Sequence, residues 1–312
     1  MRYRQLGNSG LMVSIVGLGA NNFGWRLDLE RSRPVIEAAL DAGINFVDTS
    51  DSYDRGNSEK ILGEALKTRR DEVVIATKFG SDMGGTNGPD WGARASRRYI
   101  VKAVEASLRR LQTDWIDLYQ LHRPDELTPF EETLETLDDL VHEGKIRYAG
   151  SSNLSAQQVA ETEWTSRRRG ITRFVSAQNH YSLLERTIEL DLVPACLAYG
   201  VSVIPYFPLA NGLLTGKWRR GEPPPENSRL SGRDAPGEAT FDVIEGLAGI
   251  AERLGASLGE LAIAGLAAQP CVGSVIAGAT SADQVRSNAA AADIELGAEI
   301  VAEIDRVAPA FR

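Results

Sequence analysis

Six short β-branched runs stop at side chains capable of acid, base or amide chemistry. Asp48 closes Ile44-Asn45-Phe46-Val47, Lys78 closes the run from Val73 to Thr77, and His122 closes Leu118-Tyr119-Gln120-Leu121. Ser151 to Asn153, Gln178 and Tyr206 end three further runs in the same way, and Tyr53 follows Asp48 in a loop from Thr49 to Ser58. Taken singly, each has an ordinary reading: an aspartate caps a helix, a lysine is a solvated charge, a histidine is a satisfied hydrogen-bonder. Together they supply an acid-base group, a cation beside it, a carboxylate to orient the cation, and amides suited to a carboxamide ligand. A phenol of pKa about 10 is a weak proton donor near neutrality. An ammonium about 4 Å away stabilises its phenolate by about 4 kcal/mol at an effective dielectric of about 20, or roughly three pKa units. The expectation is therefore a Tyr53 lowered by Lys78, with Asp48 aiming the lysine while opposing part of its pull. His122 would then polarise a carbonyl by hydrogen bonding, for attack by a hydride.

For those side chains to meet, the runs that carry them must end at one place. The runs are Val13 to Leu18, Asn45 to Val47, Val73 to Thr77, Asp117 to Leu121, Ile146 to Gly150, Phe174 to Gln178, Val201 to Pro205 and Gly273 to Ile276. Several start-to-start spacings fall between 27 and 32 residues, the length of one βα unit. Between them lie amphipathic stretches, such as Val35, Ala38, Ala39 and Ala42, or Leu134, Leu137, Leu140 and Val141. The pattern predicts an α/β fold, an (α/β)8 TIM barrel, whose strand ends converge on one cavity mouth. Tyr3 to Val13, with Gly7-Asn8-Ser9-Gly10 in its middle, predicts an N-terminal β-hairpin at the other end. Gly80 to Ser96 and Tyr206 to Thr240 are long loops, each following a strand, and are expected to act as lids at the C-terminal face.

The segments Gly43 to Thr49 with Tyr53, Ser58 to Gly63, Ile75 to Lys78, Asp114 to His122, Gly150 to Asn153 and Pro208 to Lys217 resemble the aldo-keto reductase family. The resemblance runs through nearly the whole chain and implies one barrel domain over residues 1–312. It implies NAD(P)H-dependent reduction of an aldehyde or ketone to an alcohol, reversible in direction, with a small-molecule carbonyl compound as substrate. The implied tetrad is Tyr53 as general acid, Lys78 and Asp48 as its tuning pair, and His122 as the carbonyl-orienting group. A second reading of the resemblance is a cofactor-sensing regulatory subunit like the barrel subunits of potassium channels.

The same resemblance implies cofactor contacts. Ser151, Asn153 and Gln178 would hold the carboxamide, and Tyr206 would stack under the nicotinamide ring. Leu209, Gly212, Leu214 and Lys217 match a clasp over the pyrophosphate, and Arg229 resembles a basic contact near the adenosine phosphates. Gly278, Thr280, Gln284 and Asn288 lie where a strand gives way to a helix, whose N-terminus favours a 2'-phosphate. NADP is the implied cofactor, with NAD possible because the arginine usual near Thr280 is missing.

Asn21, Trp25 and Trp91 are candidates for the substrate pocket, and Trp218 and Tyr181 for its wall. Gly17-Leu18-Gly19 with Gly24 imitates a dinucleotide loop, but Asp48 follows Gly19 by 29 residues where about 20 is expected. Three dispersed histidines predict no metal site, and His142, before Gly144, reads as a helix C-terminal cation. The composition, 43% hydrophobic and 25% charged, is that of a folded chain. A formal charge of -9 disfavours nucleic acid and anionic membrane surfaces as partners. The longest runs nearly free of charge, Leu11 to Phe23 and Leu261 to Ala268, fall short of the roughly 20 apolar residues of a membrane span. Two cysteines and a polar start predict a reduced, cytoplasmic setting, and no heptad pattern specifies an oligomeric state.

Overall fold

The computed structural model describes residues 1–226, 228–232 and 234–310. Two short strands, β1 (Tyr3–Gln5) and β2 (Met12–Ser14), pair antiparallel with Tyr3 opposite Ser14. Then β3 (Val16–Gly19), β4 (Phe46–Asp48), β5 (Val74–Phe79), β6 (Ile116–Leu121) and β7 (Ile146–Ser152) follow in turn. They continue into β8 (Phe174–His180), β9 (Ser202–Tyr206) and β10 (Val275–Gly278). All eight from β3 onward are parallel, in the order β10-β3-β4-β5-β6-β7-β8-β9. Gly273 N donates to the Val203 carbonyl at 2.9 Å, so β9 meets the approach to β10 and the barrel is nearly closed.

Helices alternate with these strands: α1 (Leu29–Asp41), α2 (Asn57–Ala65), α3 (Arg97–Leu111), α4 (Phe130–His142), α5 (Ala156–Arg169) and α6 (Leu192–Tyr199). After β9 come α7 (Glu238–Arg253) and α8 (Leu258–Ala267), and after β10 come α9 (Ala282–Ala290) and α10 (Ala298–Val307). Local chemistry sets several boundaries. Ser155 with Gln158 and Ser257 with Glu260 form capping boxes at the starts of α5 and α8. Gly170 and Gly200 take the left-handed conformation that stops α5 and α6. No helix among the described residues is long and apolar enough to cross a membrane.

The expected eight runs are the eight barrel strands, with one correction. Val13 to Leu18 is not one strand: Met12–Ser14 belongs to the hairpin, and the barrel strand starts at Val16. The Ser14 hydroxyl turns back onto the Val16 carbonyl at 2.7 Å and its backbone N–H onto Asn45 Oδ1 at 2.7 Å, bending the chain there.

Successive strand residues face opposite ways, and the apolar ones sort accordingly. Phe46, Ala76, Leu118, Ile204 and Ile276 fill the barrel with Leu6 and Val13 from the hairpin region, which plugs the end away from the strand C-termini. Val47, Ile75, Tyr119, Ala149, Ala177 and Val203 belong to the larger core beneath the helices. Space inside is tight. A Cβ on Gly150 would collide with Ser176 Oγ and lie 3.1 Å from Gln120 Cγ, so only glycine lets β7 pass there.

Candidate active site

Inward-facing positions end at the same height on neighbouring strands, and the polar residues there form the floor of a cavity. Lys78 is the last inward residue of β5, within the strand rather than after it. Its Nζ donates to Asp48 Oδ2 at 2.7 Å, to the Thr49 carbonyl at 2.7 Å and to Tyr53 OH at 3.2 Å. The side chains of Lys78 and Asp48 are 0% and 1% exposed. Nζ also lies 4.8 Å from the centroid of the Tyr53 ring, a cation–π approach. The His122 ring packs edge-on to Tyr53, centroids 6.2 Å apart. Its Nδ1 is 3.1 Å from Ser50 Oγ.

Burial pushes the Tyr53 phenol above its ordinary pKa; Lys78 pulls it down and Asp48 pushes it up again, leaving it raised. This reverses the sequence expectation of a lowered phenol. The cost of placing a phenolate in a dry site exceeds the attraction of an ammonium whose charge is shared with Asp48. For Lys78 burial alone would lower the pKa, but Asp48 and Tyr53 hold the ammonium above its ordinary value. His122 is pushed down to about 3 by burial, with Lys78 and Arg123 adding repulsion, so its ring is neutral near pH 7.

Asp48 has a second set of partners. Gln178 Nε2 donates to its Oδ1 at 2.7 Å and Gln120 Nε2 at 3.3 Å. Gln178 therefore spends its amide N–H on the catalytic-candidate carboxylate, though it also lines the cavity. Gln120 was missed as a site residue, although it sits two residues before His122 in the inward phase.

The cavity has a volume of about 690 Å³ and extends from this floor across the C-terminal ends of the strands. Asn153, Tyr206, Leu209, Gly212, Lys217 and Arg229 line it, as do Gly278, Thr280, Gln284, Asn288 and Asn21. Asn153 Nδ2 donates to the His122 carbonyl at 3.0 Å, and its Oδ1 accepts from Tyr206 OH at 2.9 Å. The Tyr206 ring is backed by His180, parallel within 6° at 5.4 Å. Arg229 Nη2 donates to Asn21 Oδ1 at 2.8 Å and Asn22 Oδ1 at 3.1 Å, tying the long loop after β9 to the loop after β3. The Thr280 N–H donates to Gln284 Oε1 at 2.8 Å, and Ser281 caps α9.

Several expected positions are elsewhere. Ser151 does not line the cavity; it follows the inward Gly150, faces the other way, and bonds the Ser176 carbonyl at 3.2 Å. Ser152, one residue later and back in the inward phase, lines the cavity. The Leu214 side chain is buried in the main core rather than on the cavity. Trp25 and Trp91 do not line the cavity and are 64% and 71% exposed. Trp25 lies under the Arg26 guanidinium at 4.6 Å and Trp91 under Arg98 at 4.7 Å. Trp218 and Tyr181 are buried away from the cavity, Trp218 donating to the Glu222 carbonyl at 2.9 Å and Tyr181 to Glu189 at 2.6 Å. Of the Gly80 to Ser96 loop only Ser81 lines the cavity, whereas the segment after Tyr206 lines much of it. Sequence reasoning also passed over Arg26 and Arg123, both cavity-lining. His142 Nδ1 donates to the Asp138 carbonyl at 2.9 Å near the end of α4, away from the cavity, as a helix-end residue should.

The donor set tests whether an anionic cofactor fits. The chain carries an excess of acids, yet among the described residues the cavity is lined by Arg26, Arg123, Lys217 and Arg229 against a single carboxylate, Asp48. That carboxylate is already paired with Lys78. Cations on the wall, polar groups at the start of α9 and a backed aromatic ring near the floor match phosphates and a flat ring. The residues present fit a nicotinamide dinucleotide.

Comparison with known proteins agrees in extent and kind. The family model described as "Aldo/keto reductase family" matches residues 15–309. A "Probable voltage-gated potassium channel subunit beta" of Oryza sativa subsp. japonica is 37% identical, covering 98% of this chain and 96% of the relative. A protein of the same name from Arabidopsis thaliana is 36% identical over 94% of this chain and 92% of its own. The "Versiconal hemiacetal acetate reductase" of Aspergillus parasiticus is also 36% identical, over 96% of this chain and 94% of the relative.

Proposed function

Because this chain belongs to the aldo/keto reductase family, a family of NAD(P)H-dependent oxidoreductases acting on carbonyl compounds, we propose that it reduces an aldehyde or ketone with Tyr53 as general acid. One observation carries the reading: Tyr53 OH, Lys78 Nζ and the His122 ring meet at one cavity floor, from three separate parts of the chain. A reduced nicotinamide, when bound, would supply the hydride for the carbonyl carbon. His122, neutral and held at Nδ1, offers Nε2 to the carbonyl oxygen and fixes where it sits. Tyr53 keeps its proton at neutral pH and gives it to that oxygen as negative charge builds there. The transfer is downhill even from a raised phenol, because an alkoxide is the stronger base. Lys78 then faces the phenolate at 3.2 Å, and Asp48, Gln120 and Gln178 keep the lysine aimed.

Asn153, Ser152 and Tyr206 are assigned to the nicotinamide end, and Lys217, Arg229 and the turn at Thr280 to the phosphates. Gln284 already satisfies the Thr280 N–H, so preference for NADP rests mainly on Arg229, near the adenosine phosphates, because the pyrophosphate assigned to Lys217 is common to NAD and NADP. The test is multiple turnover: purified protein with NADPH and a panel of aldehydes and ketones should form alcohol in amounts equal to cofactor consumed, many times per chain. A single slow oxidation of bound cofactor would refute the enzyme reading. The names of the rice and Arabidopsis relatives favour a second reading, a cofactor-sensing subunit. Slow single oxidation together with stable capture of a channel subunit would select it.

A further inference from the structure

Asp51 is a buried acid for which the mechanism above has no task. It is fully buried three residues beyond Asp48, and its side chain touches neutral groups: Asn87 Nδ2 at 3.1 Å and Ser50 Oγ at 3.4 Å. The direction of these bonds follows from Arg110, which can only donate. Arg110 Nη1 donates to Asn87 Oδ1 at 3.2 Å, so Asn87 must turn its NH2 toward Asp51 Oδ2. Oδ2 is thereby fixed as an acceptor, and Oδ1 is the oxygen that faces Ser50.

Ser50 Oγ has one proton and two lone pairs. The Ser52 N–H takes one lone pair at 3.2 Å. One donation and one acceptance remain, to be shared between Asp51 Oδ1 and His122 Nδ1 at 3.1 Å. Ser52 Oγ, 2.9 Å from Ser50 Oγ and 3.5 Å from Nδ1, is a third claimant on those two places, and the relay requires its hydroxyl to turn from Ser50 toward Nδ1 or the cavity, which Ser52 lines.

We propose that Asp51, acting through the Ser50 hydroxyl, sets which ring nitrogen of His122 carries the proton, and so whether that ring donates to the substrate oxygen or accepts from it. The proposal rests on the reading of His122 as the donor to a carbonyl. With Asp51 protonated, Oδ1–H donates to Ser50, Ser50 donates to Nδ1, and the ring proton sits on Nε2, facing the cavity. When Asp51 ionises, its proton passes to Ser50, the Ser50 proton passes to Nδ1, and Nε2 releases its own proton to cavity water. One proton leaves, the imidazole stays neutral, and its tautomer is reversed. Asp51 is a positioning residue in this scheme, since it touches neither substrate nor cofactor.

The surroundings place the change within reach of experiment. Burial pushes Asp51 up to about 8, Glu59 of α2 adds to the rise, and Arg110 of α3 opposes it. Tyr99 of α3 and Tyr119 of β6 also lie in its field. His122 is pushed down to about 3, so the ring does not itself ionise across this range. The sign follows: the carbonyl-donating tautomer prevails below about pH 8, where Asp51 is protonated, and is lost as pH rises through that value.

The test uses the full chain labelled with 15N-histidine, with the His122 signals assigned through variants of His142 and His180. In the wild type, Nε2 should carry the proton at neutral pH and Nδ1 in alkaline buffer. Asp51→Asn imitates the protonated acid, because Asn87 forces its amide NH2 toward Ser50; it should keep the proton on Nε2 throughout. Ser50→Ala should leave a ring whose tautomer ignores the ionisation of Asp51. In parallel, kcat/KM for carbonyl reduction should fall roughly tenfold per pH unit above the transition in the wild type and stay flat in Asp51→Asn. A wild-type tautomer that is the same on both sides of the transition, or an Asp51→Asn profile that falls as the wild type does, would overturn the proposal. If the tautomer reverses as described but Tyr53→Phe leaves turnover intact, the assignment of Tyr53 as general acid fails and the proton arrangement stands.

Discussion

Two adjacent residues of β5 serve different ends. Lys78 faces into the barrel and pairs with Asp48 at 2.7 Å, at the floor of the cavity. Thr77 faces out, and its hydroxyl donates to Glu59 Oε1 at 2.6 Å, while Arg110 Nε donates to the other oxygen of the same glutamate at 2.6 Å. Both are buried ion pairs with extra hydrogen bonds, as burial of charge requires. The inner pair leaves one donation of its ammonium for Tyr53 and a cavity-facing phenol. The outer pair is closed on all sides, knitting α2 and α3 to the barrel wall. Burial and pairing alone do not mark a catalytic group; an unspent valence aimed at a cavity does.

That contrast can be broken at either pair. The largest effect is expected from Lys78→Met. It removes the charge facing Tyr53 and leaves Asp48 with only its two glutamine donors. Carbonyl reduction should drop on the order of 10²–10⁴-fold. Unfolding in denaturant should also show a loss approaching about 3 kcal/mol, the lower end for a broken buried pair. Glu59→Gln should act the other way round. It weakens a charged hydrogen bond, costing about 1.5–3 kcal/mol, while turnover in mildly acidic buffer stays near wild type. Mildly acidic conditions matter because Glu59 also helps to raise Asp51. A Glu59→Gln variant that unfolds normally but has lost turnover would erase the distinction between the two faces.

Much of this was legible in the sequence, for reasons the same strand illustrates. Apolar runs end where burial ends, so Asp48, Lys78, His122, Gln178 and Tyr206 could be read as strand-end polar groups converging on one mouth. Reading where a run stops does not give its phase. Ser151 and Ser152 both close the run from Ile146, and only the alternation that puts Gly150 inward places Ser152 at the cavity and Ser151 behind it. The same phase count would have found Gln120. The sign of the Tyr53 shift was misjudged because pairwise attraction by Lys78 is visible in a sequence, whereas the desolvation that outweighs it is a property of the packed site. Trp25 and Trp91 fall in loops without periodicity. Trp91 holds a positive φ of 49°, and each tryptophan stacks with an arginine outside the cavity.

The central claim is that the phenol of Tyr53 protonates the carbonyl oxygen. It is tested most directly by comparing the wild type with Tyr53→Phe in a single-turnover reduction with prebound NADPH, alongside a fluorescence titration of cofactor binding. The expected result is unchanged cofactor affinity with a reduction rate lowered on the order of 10²–10⁴-fold. A phenylalanine variant that reduces the carbonyl as fast as the wild type would contradict it.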